Sequence, residues 1–136
     1  MPNHFHLVIK QLSDLPVGDI VSRVSNSYSK WFNKKYDRVG SLYQDTFKAV
    51  LVESDAYLMW LTAYVHNNPK TAELVKDLKD YPWSSYLDYI GLRQGTLCDK
   101  DFILKQFANV DVYRKFVGDA YEKIKERKDL KNLLLD

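Results

Sequence analysis

The feature that most constrains this chain is its opening stretch, MPNHFHLVIK. The run from His6 through Leu7, Val8 and Ile9 has the pattern of a buried β-strand, and residues 5–10 read as one. Successive strand residues face opposite sides. His4 and His6 therefore share a face, roughly 6.6 Å apart, while Phe5 and Leu7 turn toward a core. Two imidazoles at that separation can converge on one divalent cation, each giving a ring nitrogen. Taken alone, the pair is also what two ordinary polar residues near a chain terminus look like. Position 8 is Val, so the longer His-x-His-x-Asp pattern of a zinc hydrolase is absent. Cys98 is the single cysteine, which leaves no Cys-x-x-Cys for structural zinc.

The rest of the chain reads mainly as helix. At 136 residues and 46% hydrophobic it fits one domain with a real core. Ile20, Val24, Tyr28, Trp31 and Phe32 recur at helical spacing, giving a helix from Pro16 to Tyr36 that Gly40 stops. The segment Ser41 to Glu53, with its β-formers in rough alternation, reads as a second strand or a bent hairpin arm. Ser54 suits an N-cap and Asp55 a first turn, so "AYLMWLTAYVHN" runs as a helix to Pro69. "PKTAELVKDL" can start another helix, because proline is tolerated in a first turn. Two further helices are expected between Asp101 and Leu135. A lone cysteine, no signal peptide and no apolar run of membrane-spanning length point to a soluble, cytoplasmic protein without a membrane partner.

Charge narrows the partner class. The net charge is +2, so the chain is not a polycation, yet residues 1–50 carry seven Lys/Arg against four Asp/Glu. The surplus lies between Arg23 and Arg38. Arg23, Lys30, Lys34, Lys35 and Arg38 sit on or just after the first helix, near Trp31, Tyr36 and Tyr43. Basic side chains interleaved with aromatics suit phosphates and unpaired bases. The same pattern also describes a solvated helix face over core aromatics.

A second constellation lies in "LTAYVHNNPKTAELV". Tyr64 and Asn68, four residues apart on a helix, share a face, with Tyr57 and Leu61 extending the stripe. His66, roughly 200° around the axis from Tyr64, points elsewhere. A tyrosine hydroxyl has an ordinary pKa near 10 and attacks a phosphodiester only when its target is activated. A metal held by two histidines can supply that activation. Without such a partner, Tyr64 reads as a half-buried helix aromatic.

Taken together, "MPNHFHLVI", "NKKYDRVGSLYQDTFKAVLVES", "YVHNNPKTAELV" and "YPWSSYLDYIG", in this order and spacing, resemble the REP-associated tyrosine transposase family. That family belongs to the HUH single-strand transposases of insertion-sequence type. The resemblance covers about residues 1–91, taken as the catalytic domain, with 92–136 as a helical C-terminal extension. It implies a ferredoxin-like α+β fold, an antiparallel sheet with helices packed on it, plus C-terminal helices. It further implies that His4 and His6, with Asn68, bind Mg²⁺ or Mn²⁺, and that Tyr64 attacks single-stranded, hairpin-forming DNA. The product would be a 5′-phosphotyrosine and a free 3′-OH. Because the covalent link conserves bond energy, no nucleotide cofactor is needed, and no Gly-x-x-x-x-Gly-Lys-Ser/Thr loop is present.

Two departures from the family pattern carry their own expectations. Family members have several tens of residues ahead of "MPNH", including a strand that pairs with the histidine strand, whereas this chain opens at the motif. The unpaired edge is then expected to recruit a second copy, giving a homodimer. Family members also commonly carry an arginine after "GSLYQ", where Asp45 and Thr46 stand here. Two other readings remain at this level. One is a decayed transposase that only grips nucleic-acid hairpins. The other is a metal-dependent hydrolase that uses the histidines without the tyrosine.

Overall fold

The computed structural model describes residues 1–126, and those residues form two compact units. One comprises Met1–His6 together with the chain from Val50 onward; the other is Leu7–Ala49. The helices are α1 (Val17–Lys35), α2 (Asp55–Thr71), α3 (Tyr86–Tyr89), α4 (Asp101–Leu104) and α5 (Val110–Glu126), with a 3₁₀ turn at Leu78–Asp80.

No strand exists among the described residues, so the expected ferredoxin-like antiparallel sheet is absent. The pattern at residues 5–10 and the β-rich segment 41–53 both lie in extended or irregular chain. The physical reason is that alternation specifies a face, whereas a strand exists only as one side of a hydrogen-bonded ladder. With no ladder, the apolar side chains stay in solvent: Leu7 is 59% and Leu51 78% exposed. The homodimer expected from an open strand edge loses its premise for the same reason.

The unit Leu7–Ala49 is built on α1. Asp19 in the first turn and Lys34 and Lys35 in the last complement the helix dipole. The helix ends where Asp37 takes a φ of 49° and Gly40 one of 96°. Asn33 Nδ2 donates to the Gly40 carbonyl at 2.8 Å and ties the exit turn back to the helix.

In the larger unit, α2 begins as the sequence indicates. Ser54 Oγ accepts from the Tyr57 amide at 3.2 Å. Pro69 does not end the helix; α2 continues to Thr71, and the Ala72 amide donates to the Asn68 carbonyl at 2.9 Å. Lacking an N–H, proline forfeits one intrahelical bond but leaves one further turn intact. The helix expected from Pro69 onward is therefore replaced by this last turn of α2. The 3₁₀ turn follows, capped by Asp77 Oδ1 accepting from the Lys79 amide at 3.1 Å.

Of the two helices expected between Asp101 and Leu135, α4 is a single turn and α5 is long; residues 127–136 lie outside the described residues. Asn109 Oδ1 accepts from the Val112 amide at 3.0 Å and caps the start of α5. Tyr113, Val117, Ala120 and Ile124, at i, i+4, i+7 and i+11, bury one stripe of it against α2. Asn67 Nδ2 bridges the two helices, donating to the Val117 carbonyl at 2.8 Å and the Ala63 carbonyl at 3.0 Å. Tyr86, Tyr89, Ile90 and Ile103 complete the core.

Candidate active site

All four residues singled out for chemistry lie in the larger unit. The His4 and His6 rings meet edge to face, their centroids 5.1 Å apart. The two histidines thus keep together without a strand to align them. Asn3 Oδ1, an acceptor only, lies 2.7 Å from His4 Nδ1, so that nitrogen carries the proton and donates. With the proton on Nδ1, Nε2 is the nitrogen left to ligate a metal.

His6 and Phe5 line a cavity of about 110 Å³ together with Val65 and Asn68 from α2. Trp83, Ser84 and Ser85 close its other side. The structure therefore brings His6 to both His4 and Asn68, which spacing alone does not guarantee across 62 residues of chain. Asn68 is buried, and among the described residues its Nδ2 has no hydrogen-bond partner. Such an orphaned amide end is costly in a protein interior. Two imidazoles and an amide oxygen form a donor set suited to Mn²⁺ and acceptable to Mg²⁺, so the residues present fit such an ion.

Tyr64 lies one turn before Asn68 on α2, as the spacing requires. Its ring is packed in the core at 2% exposure and is not part of the cavity wall. Residues 64 and 66–69 are all buried, so this part of α2 is covered on every side.

His66 is the residue whose role the sequence conceals. Its Nδ1 lies 2.7 Å from Tyr113 Oη and its Nε2 2.9 Å from Ser85 Oγ. The rings of Tyr86, Tyr89 and Tyr113 pack against it edge-on. Burial lowers its pKa from 6.5 to about 3, so the ring is neutral at physiological pH. With both nitrogens engaged, His66 is a structural bridge and not a metal ligand. Burial likewise raises the Tyr89 hydroxyl to about 12 and drives Tyr113 upward. The "YVHNNP" and "WSSY" segments are thus held together by the His66–Ser85 bond, a partnership that spacing alone cannot reveal.

A second missed element is the pair Asp88–Arg93. Arg93 Nη2 and Nε reach the two carboxylate oxygens at 2.6 and 2.9 Å. The Gly95 amide adds a third bond to Asp88 Oδ1 at 2.9 Å. Hydrogen bonding from Arg93, opposed by burial and aided by the Gly95 amide, holds the Asp88 carboxyl down at about 2. Arg93 also donates to the Pro82 carbonyl at 2.7 Å and the Ser84 carbonyl at 2.8 Å. The sequence clue would have been the short interval from "SSYLDYIG" to Arg93 and Gly95.

The basic residues belong to the other unit, and all five are exposed. At 100° per residue, Arg23, Lys30 and Lys34 fall within roughly 40° of one another on α1. Lys35 Nζ lies 4.7 Å from the Trp31 ring centroid and 5.4 Å from that of Tyr36, and Arg38 caps Phe32 at 5.7 Å. Tyr28 stacks with both Trp31 and Phe32, and Phe32 with Tyr36. Cations and partly exposed rings are thus interleaved along one helix. No described helix is long and apolar enough to cross a membrane.

The family described as "Transposase IS200 like" matches residues 1–68, a span that starts before the histidine pair and ends on Asn68. No match was found among curated proteins or among solved structures.

Proposed function

This chain belongs to the IS200-like transposase family, and on that premise we propose that it cuts and rejoins single-stranded, hairpin-forming DNA through Tyr64. His4, His6 and Asn68 would hold Mg²⁺ or Mn²⁺. The observation that carries this reading is the shared cavity of His6 and Asn68, with His4 against His6. Bound there, the ion would offset negative charge building on a phosphodiester.

The chain's own groups perform the rest. Tyr64 Oη gives up its proton and attacks phosphorus; a tyrosyl P–O bond forms as the P–O3′ bond breaks, and the departing 3′ oxygen takes up a proton. The 5′ phosphate stays on tyrosine. Attack by another 3′-OH reverses the step and joins a different strand. Arg23, Lys30, Lys34, Lys35 and Arg38 would contact phosphates, with Trp31 and Tyr36 available to unpaired bases. Since the Tyr64 ring is 2% exposed, DNA binding must loosen its packing before attack.

That burial favours a second reading, a hairpin-binding module without cleavage. The two separate on one experiment. A hairpin oligonucleotide labelled 3′ of the cut should become covalently attached when Mn²⁺ is present and not when EDTA is. Binding with no adduct under any metal supports the module instead.

A further inference from the structure

Trp83 is 84% exposed, whereas most large aromatics of this unit are buried or half-buried. Leaving an indole in water forgoes the apolar stabilisation that its large surface would give if covered. Yet the backbone on both sides of it is tied down. Arg93 donates to the carbonyls of Pro82 and Ser84, the residues on either side, while Asp88 holds the guanidinium and itself accepts from the Gly95 amide. Trp83 also borders two cavities at once. One is the cavity of His6 and Asn68. The other, an open depression of about 350 Å³, is walled by Leu97, Cys98 and Arg93.

The geometry points to Trp83 as a stacking platform for one unpaired base of the DNA strand, beside the phosphate held at the His6–Asn68 cavity. This rests on the functional reading above. An indole displayed on fixed backbone loses little entropy when a base lies on it, and stacking accepts any base because each has a π-face. Arg93 is already neutralised by Asp88, so the platform supplies a flat apolar face and not a phosphate contact. Its loss should therefore weaken binding without changing the salt dependence.

The test uses the full chain and a hairpin oligonucleotide with ten-nucleotide single-stranded flanks, carrying one abasic site walked along those flanks. Binding is read by fluorescence anisotropy for the wild type, Trp83→Ala and Trp83→Phe. In the wild type, abasic sites at one or two adjacent positions should weaken binding by about 5- to 150-fold. Trp83→Ala should show the same loss on the intact oligonucleotide and no further loss at those positions, and Trp83→Phe should retain most of the affinity. Because the side chain is exposed, the urea midpoint of Trp83→Ala should match the wild type. Wild-type affinity in Trp83→Ala, losses that do not depend on abasic position, or no binding of the flanked hairpin at all would each overturn the platform. Binding is scored apart from adduct formation. Coupling without adduct leaves the platform standing while the cleavage reading fails, and adduct without coupling does the reverse.

Discussion

His66 Nε2 and Ser85 Oγ lie 2.9 Å apart, and that bond ties the helix of the tyrosine motif to a segment 19 residues further along the chain. Ser85 also borders the cavity of His6 and Asn68. One hydroxyl thus fixes a buried imidazole and shapes a wall of the candidate site.

Ser85→Ala should cost about 1–3 kcal/mol, because it leaves a buried ring nitrogen without a partner. Tyr113→Phe should cost a similar amount through the other nitrogen. Urea midpoints at pH 7 check both, and a loss under 0.5 kcal/mol for each would show that the His66 bonds contribute little (~0.5 kcal/mol being the scale of an ordinary surface substitution).

Acid should unfold the protein partly through His66. Its folded pKa of about 3 lies below the ordinary 6.5, so below pH 6.5 the unfolded chain binds the extra proton. The stabilisation from keeping the ring neutral is complete above that pH and shrinks as pH falls toward 3. Between pH 7 and pH 5 this single group should remove about 2 kcal/mol. His66→Gln should flatten the dependence in that window, whatever it does to stability at pH 7. A wild type and variant with parallel pH profiles would contradict the assignment.

Much of the helical architecture is legible in the sequence, and the sheet is not. The stripe through Val24, Tyr28 and Phe32 places α1 within a residue of its observed ends, and Ser54 marks the start of α2. Helices are local, so their caps and stripes lie within reach of one another in sequence. The β pattern at His4 to Lys10 depends on a ladder partner that no local signal specifies. The same distinction runs through the site. Tyr64 and Asn68 share a helix face by spacing, and the approach of His6 to Asn68 follows the family resemblance. His66 to Ser85 and Asp88 to Arg93 and Gly95 depend on how separate segments pack. Only a buried imidazole among tyrosines hints at the first of these.

Gly95→Ala should loosen the backbone around Trp83. A Cβ at position 95 would lie 2.7 Å from Asp88 Oδ1, so the carboxylate must move off the amide and guanidinium it now holds. Asp88→Ala removes the charged acceptor outright and should cost on the order of 2–3 kcal/mol. In both variants, protease cleavage between Tyr81 and Gln94 should accelerate; unchanged cleavage would count against Arg93 as the clamp.

Asn3→Ala tests the histidine pair without removing a ligand. Asn3 sets the proton on His4 Nδ1, and losing such an orienting partner weakens metal binding by roughly 10- to 100-fold. Because the contact is exposed, about tenfold is expected by Mn²⁺ titration. His6→Ala and Asn68→Ala should cost more than Asn3→Ala, and equal Mn²⁺ affinity in all four proteins would place the ion elsewhere.

Covalent capture of DNA tests the central claim most directly. Wild-type protein, Mn²⁺ and a hairpin oligonucleotide labelled 3′ of its cut should give an adduct stable to denaturing electrophoresis. Label placed 5′ of the cut should not be captured, since the phosphate remains on tyrosine. Tyr64→Phe should abolish the adduct while hairpin affinity changes less than about threefold, as only a hydroxyl is removed, worth roughly 0.5 kcal/mol where it makes no buried contact with DNA. Tyr57→Phe, seven residues earlier on the same helix stripe, should form it normally. An adduct that survives Tyr64→Phe, or capture of the 5′-labelled strand, would contradict the assignment.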